Sequence, residues 1–276
     1  MSPSYKVCLA GCGKMGTALL LGWIKNKDLK LKITVIDPFL NSNILKKIKK
    51  NKNLEFFKSV RELDNKYSPN LIVLAVKPQI LSNVIKELET IYSDKTIFLS
   101  IAAGIACNKL QEMIKKDSII CRAMPNTPAS IGKGITCLLR NKRLSERQFK
   151  LIKTILSVSG KIELIEKEIQ MDAVTALSGS GPAYIFLIAE ILSEVGYNLG
   201  LEKSTAKKLS RQTIIGSAYL LESNKMEASK LRENVTSEGG TTFAAIKILN
   251  NNDALKKLFF EAMSAAKNRS IELNKK

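Results

Sequence analysis

The sequence predicts an α/β protein of two domains, a doubly wound, mostly parallel sheet over residues 1–164 and an all-helical domain over residues 165–276. Three observations carry that prediction. Short apolar runs alternate with helical stretches as far as Leu164, strand signals cease after Glu166, and a glycine-rich loop joins the first strand to the first helix. Alternation at this spacing makes right-handed strand-helix-strand units, whereas the later 3.6-residue periodicity makes helices that pack on helices. A chain of 276 residues is long enough to bury a core in each domain.

Element by element, Lys6–Ala10 reads as a buried strand that enters Gly11-Cys12-Gly13-Lys14-Met15-Gly16, after which Leu19, Leu20 and Ile24 recur at helical spacing. A second strand runs from Lys32 to Ile36 and stops at Asp37-Pro38, and a lysine-rich helical stretch leads to a short strand at Leu54–Phe57. Leu71 to Val76 is a continuous apolar run, as expected of a central strand covered on both faces, and Pro78 opens the next helix at the first-turn position where proline is tolerated. Thr96–Ile101 is a strand ending at Ala102-Ala103-Gly104; a helix through Leu110 and Met113 and a strand at Ser118–Ala123 follow. Gly134–Leu139 and Lys161–Ile165 read as the last strands, flanking a helix from Ser145 to Val158. Helices are then expected over 168–177, 182–199, 202–223, 226–235, 243–250 and 253–273. The 182–199 segment is apolar on nearly every face, so it belongs in a domain core or a subunit interface, and an oligomer is expected.

Composition narrows the chemistry. The chain has no histidine, which excludes Ser-His and Cys-His nucleophilic sites and any histidine proton relay. Its five cysteines are an odd number without metal-ligand spacing, so reduced thiols and no metal are expected. A net charge of +19 comes mostly from lysines scattered among Asn and Ile, as in Lys25, Lys27, Lys30 and Lys32 and in Lys46, Lys47, Lys49, Lys50 and Lys52. A basic surface could serve nucleic acid, but with arginine scarce and no aromatic residues interleaved to stack bases the charge reads as compositional bias, and nucleic-acid binding is not expected. Neither a signal peptide nor an uninterrupted run of about 20 apolar residues is evident, so a cytoplasmic protein without a membrane partner is expected.

The Gly11–Gly16 loop has the context that makes a GxGxxG pattern specific: a strand before it, a helix after it, and an acidic residue at the end of the second strand. Gly11 allows the tight turn, Gly13 lets a pyrophosphate approach the backbone, and Gly16 allows close helix–strand packing, while Cys12, Lys14 and Met15 offer backbone groups. The first domain is therefore expected to be of Rossmann type and to bind NADP(H) or NAD(H). Asp37, 21 residues after Gly16, either accepts hydrogen bonds from an adenosine ribose, which favours NAD(H), or caps the turn before Pro38. Ala75-Val76-Lys77-Pro78 and Ala102-Ala103 follow strands at their carboxyl ends, where such sheets place ligands.

The helical domain contains a pair of small-residue segments, Ser178-Gly179-Ser180-Gly181-Pro182-Ala183-Tyr184 and Thr236-Ser237-Glu238-Gly239-Gly240-Thr241-Thr242, which read as loops that open helices. Amides and hydroxyls at a helix N-terminus suit a carboxylate, and they also serve as plain caps. Together with the glycine loop, Ala75-Val76-Lys77-Pro78-Gln79 and Arg122-Ala123-Met124-Pro125-Asn126-Thr127-Pro128-Ala129, these segments make the whole chain resemble the pyrroline-5-carboxylate reductase family.

The resemblance implies a Rossmann domain followed by a helical dimerisation domain, dimers often assembled into decamers, and an active site between domains of neighbouring subunits. It implies that Ser237, Gly239, Gly240, Thr241 and Thr242 cradle 1-pyrroline-5-carboxylate, with Thr242 the donor or acceptor for the ring nitrogen, and that Asn126 and Asn234 join the cofactor set. It further implies hydride transfer from a nicotinamide to the C=N carbon, giving proline, a step for which a protonated imine is already activated and histidine is not required. The chain departs from the family at Glu238, where proline is usual, and at Lys225, near a position often acidic. Two rivals share the glycine loop. A β-hydroxyacid dehydrogenase needs a lysine base soon after the helical domain's glycine segment, where the next lysine here is Lys203, and a cofactor-sensing binding protein would show no turnover.

Overall fold

The computed structural model describes residues 5–26, 28–39, 51–114 and 117–275. The lysine-rich stretch expected to be helical, with Lys46, Lys47, Lys49 and Lys50, lies outside the described residues, as does Lys27. Eight strands form one sheet: β1 (Tyr5–Ala10), β2 (Leu31–Ile36), β3 (Leu54–Phe57), β4 (Leu71–Leu74), β5 (Ile97–Ser100), β6 (Ile119–Met124), β7 (Gly134–Leu139) and β8 (Gly160–Ile165). Their order is β3-β2-β1-β4-β5-β6-β7-β8. Every pairing is parallel except β6 with β7. That exception has a local cause. Only a short turn, Thr127–Ile131 closed by Gly132 at φ +72°, separates the two strands, which is too little chain for the crossover a parallel pair requires.

Helices α1 (Lys14–Lys25), α2 (Pro78–Glu87), α3 (Cys107–Met113) and α4 (Glu146–Ser157) accompany the strands. The strand period of two sends Val7 and Leu9 into one core with Leu19, Leu20, Trp23, Val73, Leu99, Ile152 and Leu156. Cys8 and Ala10 enter a second core with Ile72, Leu74, Leu81, Ile85, Phe98 and Leu110. With a core on each face, β4 and β5 are buried along their whole length, which is why their sequences do not alternate. Trp23 donates its ring N–H to the Ile155 carbonyl at 2.9 Å and so ties α1 to α4. A capping box at Ser145 and Gln148 starts α4.

The remaining helices are α5 (Gln170–Val174), α6 (Gly181–Asn198), α7 (Lys203–Ser223), α8 (Ala228–Asn234), α9 (Thr241–Leu249) and α10 (Ala254–Lys275). The segment Ser178-Gly179-Ser180-Gly181, expected to be a loop, is instead helical. Thr175–Gly179 is a π-helical turn in which the Ser180 amide reaches the Thr175 carbonyl at 2.8 Å, and it joins α5 to α6. Thr175 and Ser178 donate their hydroxyls to the carbonyls of Met171 and Val174, so Ser178, one of the residues that suggested a loop, bonds back onto the helix's own backbone.

The chain divides into two compact units, one running through Ser180 and resuming at Ala266, the other Gly181–Ala265. Residues 165–180 and the end of α10 thus fold with the sheet, beyond the 164 boundary read from strand signals. Their anchors are polar. Ser270 donates to Asp172 at 2.6 Å, the Ala106 amide to the Asn274 side chain at 2.8 Å, and the Cys107 amide to Glu168 at 2.7 Å. In the second unit α6 packs on α7, where Ser210 donates to the Ala189 carbonyl and Gly196 meets Ala206. No residue of α6 is buried within the chain, and Phe186 and Leu187 are 67% and 55% exposed. Its apolar face therefore belongs to no core of a single protomer.

Candidate cofactor and substrate sites

The parallel strands β1, β4, β5 and β6 end on one edge of the sheet, with Ala10 beside Leu74, Leu74 beside Ser100, and Ser100 beside Arg122. That register brings Gly11–Gly16, Ala75–Pro78, Ala102–Ala103 and Asn126 to the same edge. Chain order reverses between β1 and β4, so the crevice a dinucleotide uses in such sheets opens beside the glycine loop.

Gly11 has φ +94°, and a Cβ there would stand 2.6 Å from Val76 Cγ1 and 2.8 Å from the Ala75 carbonyl. Gly16 is as tightly held, since its Cβ would run into the Gly11 carbonyl. Gly13 has open space where a side chain would lie. It is also the N-cap of α1, which carries no side-chain cap, so no side chain answers the first-turn amides at the positive end of the helix dipole. This arrangement fits a dinucleotide pyrophosphate. Thr17, which no motif in the sequence marks, donates to the Cys12 carbonyl at 2.9 Å and fixes the loop from inside. Burial raises the Cys12 thiol above its ordinary value and keeps it neutral beside the phosphate position.

Asp37 belongs to the same loop. One carboxylate oxygen accepts the Cys12 amide at 2.6 Å and the other accepts the Phe39 amide at 2.7 Å. It is thus the turn residue one reading expected, and it also braces the glycine loop. Lys77 precedes Pro78 as the N-cap of α2, and Ala75 bonds through its amide to the Ala10 carbonyl at 2.8 Å. Ala102 takes the Ser100 hydroxyl as acceptor at 3.3 Å, and Gly104, at φ +70°, leaves room for Leu273. The Asn126 side-chain oxygen accepts the Ile135 amide at 2.9 Å, which holds the β6–β7 turn in place. Beneath it, Arg122 is buried and paired with Glu168 at 3.1 Å, and the same Glu168 oxygen receives the first amide of α3. No pattern in the sequence singles out Glu168, because its partners lie 46 and 61 residues away.

In the helical unit Asn234 ends α8, its amide directed at the Met226 sulfur. A tight turn follows. The Thr236 hydroxyl donates to the Arg232 carbonyl, the Gly240 amide to the Ser237 carbonyl at 3.1 Å, and Gly239 takes φ +69°. A Cβ at Gly240 would stand 2.6 Å from Ser237 Oγ, so a side chain there would require the Ser237 hydroxyl to turn away. Thr241 and Thr242 are the first residues of α9, whose N-cap Gly240 supplies no side-chain acceptor. The amides there are thus open to an external anion, as at α1. Glu238 and Lys225 are both exposed. No cluster of three or more metal-binding side chains exists among the described residues.

Residues 168–273 match the family model described as pyrroline-5-carboxylate reductase dimerisation, and residues 6–104 match one described as NADP oxidoreductase, coenzyme F420-dependent. A pyrroline-5-carboxylate reductase of Haemophilus influenzae is 35% identical over 97% of this chain and 97% of its own. Among solved structures, a pyrroline-5-carboxylate reductase from Coxiella burnetii is similar with a TM-score of 0.86 at 36% identity, covering 99% of this chain and 100% of that one. The pyrroline carboxylate reductase of Plasmodium falciparum, solved with NADP bound, has a TM-score of 0.81 at 30% identity over 98% of both chains. Identity above 30% sustained along nearly the whole of both partners means that this chain belongs to the pyrroline-5-carboxylate reductase family, NAD(P)H-dependent oxidoreductases that reduce a cyclic imine to L-proline.

Proposed function

We propose that the substrate of this reductase is held at the start of α9, with Ser237, Gly239, Gly240 and Thr241 around its carboxylate and Thr242 at its ring nitrogen. The observation that carries this reading is the uncapped N-terminus of α9 behind the glycine turn Gly239-Gly240, in which Gly239 takes φ +69°. Open amides and the helix dipole favour a carboxylate, and a threonine hydroxyl hydrogen-bonds a ring nitrogen in either protonation state. Glu238, exposed beside the turn, has the freedom to point away from that anion. The glycine loop with Lys14, Met15, Ala75 to Pro78, Ala102, Ala103 and Asn126 forms the cofactor set of the sheet unit. A bound nicotinamide supplies the hydride. The chain's own role is to orient both partners, exclude water and hydrogen-bond the nitrogen as its charge changes.

Thr242→Ala is expected to lower kcat/KM for 1-pyrroline-5-carboxylate by about 10- to 100-fold, the scale of one lost polar contact to a reacting group, with dinucleotide affinity unchanged. Steady-state NAD(P)H oxidation and a direct nucleotide titration check it, and full activity in the variant would remove Thr242 from the site.

The protomer is proposed to work as a homodimer through α6, with decamers as the higher assembly. The exposed apolar face of α6 and the dimerisation model over residues 168–273 support this. Five free thiols fit a reducing, cytoplasmic setting.

A further inference from the structure

We infer that the last turn of α10 shapes the loop between β5 and α3, which makes Asn274 a positioning residue for cofactor binding. The inference rests on the assignment of Ala102 and Ala103, in that loop, to the cofactor set. The loop, Ala102 to Ala106, has little in its own sequence to hold it. Its side chains are those of alanine, glycine and isoleucine, and Ala106, the N-cap of α3, offers no side-chain acceptor. Its bonds come from far along the chain instead. The Ala106 amide donates to Asn274 Oδ1 at 2.8 Å, across 168 residues, and the neighbouring Cys107 amide donates to Glu168 at 2.7 Å. Gly104 turns the loop at φ +70°, and a Cβ there would stand 2.7 Å from Leu273 Cβ and 3.1 Å from the Ser270 carbonyl. Leu273 and Asn274 thus press on the loop and hold its far end.

The helix turn that grips the loop is itself gripped. Residues from Ala266 onward fold with the sheet. Ser270 is buried and donates to Asp172 at 2.6 Å, while Lys109 Nζ donates to the Asn274 carbonyl at 3.2 Å. At its near end the loop leaves β5, where the Ile101 amide bonds the Leu74 carbonyl at 3.1 Å. Between these two anchors Ala103 is half-buried, and Ala102, Gly104, Ile105 and Ala106 are buried. An alanine offers a ligand its backbone groups and one methyl, with no rotamer to adjust. What Ala103 contributes therefore depends on where the loop places it. Without the Asn274 acceptor, the Ala106 amide loses its partner in a buried loop, and the loop must shift to find another. The loss falls on the dinucleotide, because the substrate is assigned to other residues.

The test is a fluorescence titration of the whole protein with NADH and with NADPH, alongside steady-state kinetics with 1-pyrroline-5-carboxylate. Asn274→Leu, close in size but without an acceptor, is expected to weaken nucleotide binding by about 3- to 10-fold, the scale of one hydrogen bond, and to leave KM for the imine within about twofold. Asn274→Ala removes the same acceptor without adding bulk and serves where the leucine variant does not fold. Asn274→Asp keeps the acceptor, with Lys109 beside it to offset the charge, and should return affinity to within about twofold of wild type. Glu272→Ala, on the same helix turn, breaks an exposed pair with Arg269 and should change nothing, which separates the loop contact from a loosened helix end. Unchanged affinity without the Asn274 acceptor, or an aspartate variant as weak as the others, overturns the inference. Ala103→Glu probes the reading beneath it. Normal nucleotide binding by that variant removes the loop from the cofactor site and the inference with it, whereas a block there with no effect at Asn274 sinks the inference alone.

Discussion

Single residues decide most of what the cofactor loop does. Gly11, Gly13 and Gly16 look alike in sequence, yet two are closed against neighbours and one is open, and the open one heads the uncapped helix α1. Asp37 is readable from sequence as ribose acceptor or turn cap, and in the structure one of its oxygens holds the turn at Phe39 and the other the glycine loop at Cys12. The thiols are residues with a testable consequence. Burial pushes the Cys8 and Cys121 thiols up from 9.0 to about 12. The folded state therefore holds protons that the unfolded chain releases above its own thiol value near 9. Stability from these two groups is intact below that pH and falls as pH rises through the window from about 9 to about 12, by up to about 1.4 kcal/mol per unit for each thiol. Denaturant titrations at pH 8 and pH 10 check the sign, and replacing either cysteine with alanine should flatten the slope.

At the scale of elements, the strands were legible because strictly local rules make them. Apolar runs bounded by glycine or proline became β1, β4 and β5 with ends within a few residues of those read from the sequence. The π-helical turn was not legible. Ser178-Gly179-Ser180-Gly181 has the composition of a loop, yet the backbone closes a π turn from the Ser180 amide to the Thr175 carbonyl and the Ser178 hydroxyl turns back onto the Val174 carbonyl. The Glu168 anchor was equally hidden, because it joins β6 and α3 across long sequence separations. Helix α6 carries the prediction at this scale. Its Phe186, Leu187, Ile191 and Val195 are exposed within one chain, more contiguous apolar surface than a lone protomer tolerates. Leu187→Glu should convert the oligomer to single chains in sedimentation velocity, because a carboxylate buried without a partner costs several kcal/mol per subunit interface. An unchanged sedimentation coefficient would move the interface elsewhere.

On the scale of the whole molecule, the chain is a sheet-based unit with an uncapped helix N-terminus at α1 and a helical unit with a second one at α9, the two ends to which the proposal assigns the cofactor and the substrate. Both are built the same way, from a glycine that leaves no side chain in the path and a helix whose first amides remain open. Two anionic partners, a dinucleotide and an imino acid, suit two such ends. The reaction between them needs no histidine, and the chain has none. The most direct measurement follows the transferred atom. The protein is incubated with 1-pyrroline-5-carboxylate and NADH carrying deuterium at both C4 positions, and the product is analysed by mass spectrometry and NMR. The account predicts L-proline carrying one deuterium at C5, the former imine carbon. Proline without the label, or no proline despite bound NADH, would contradict it.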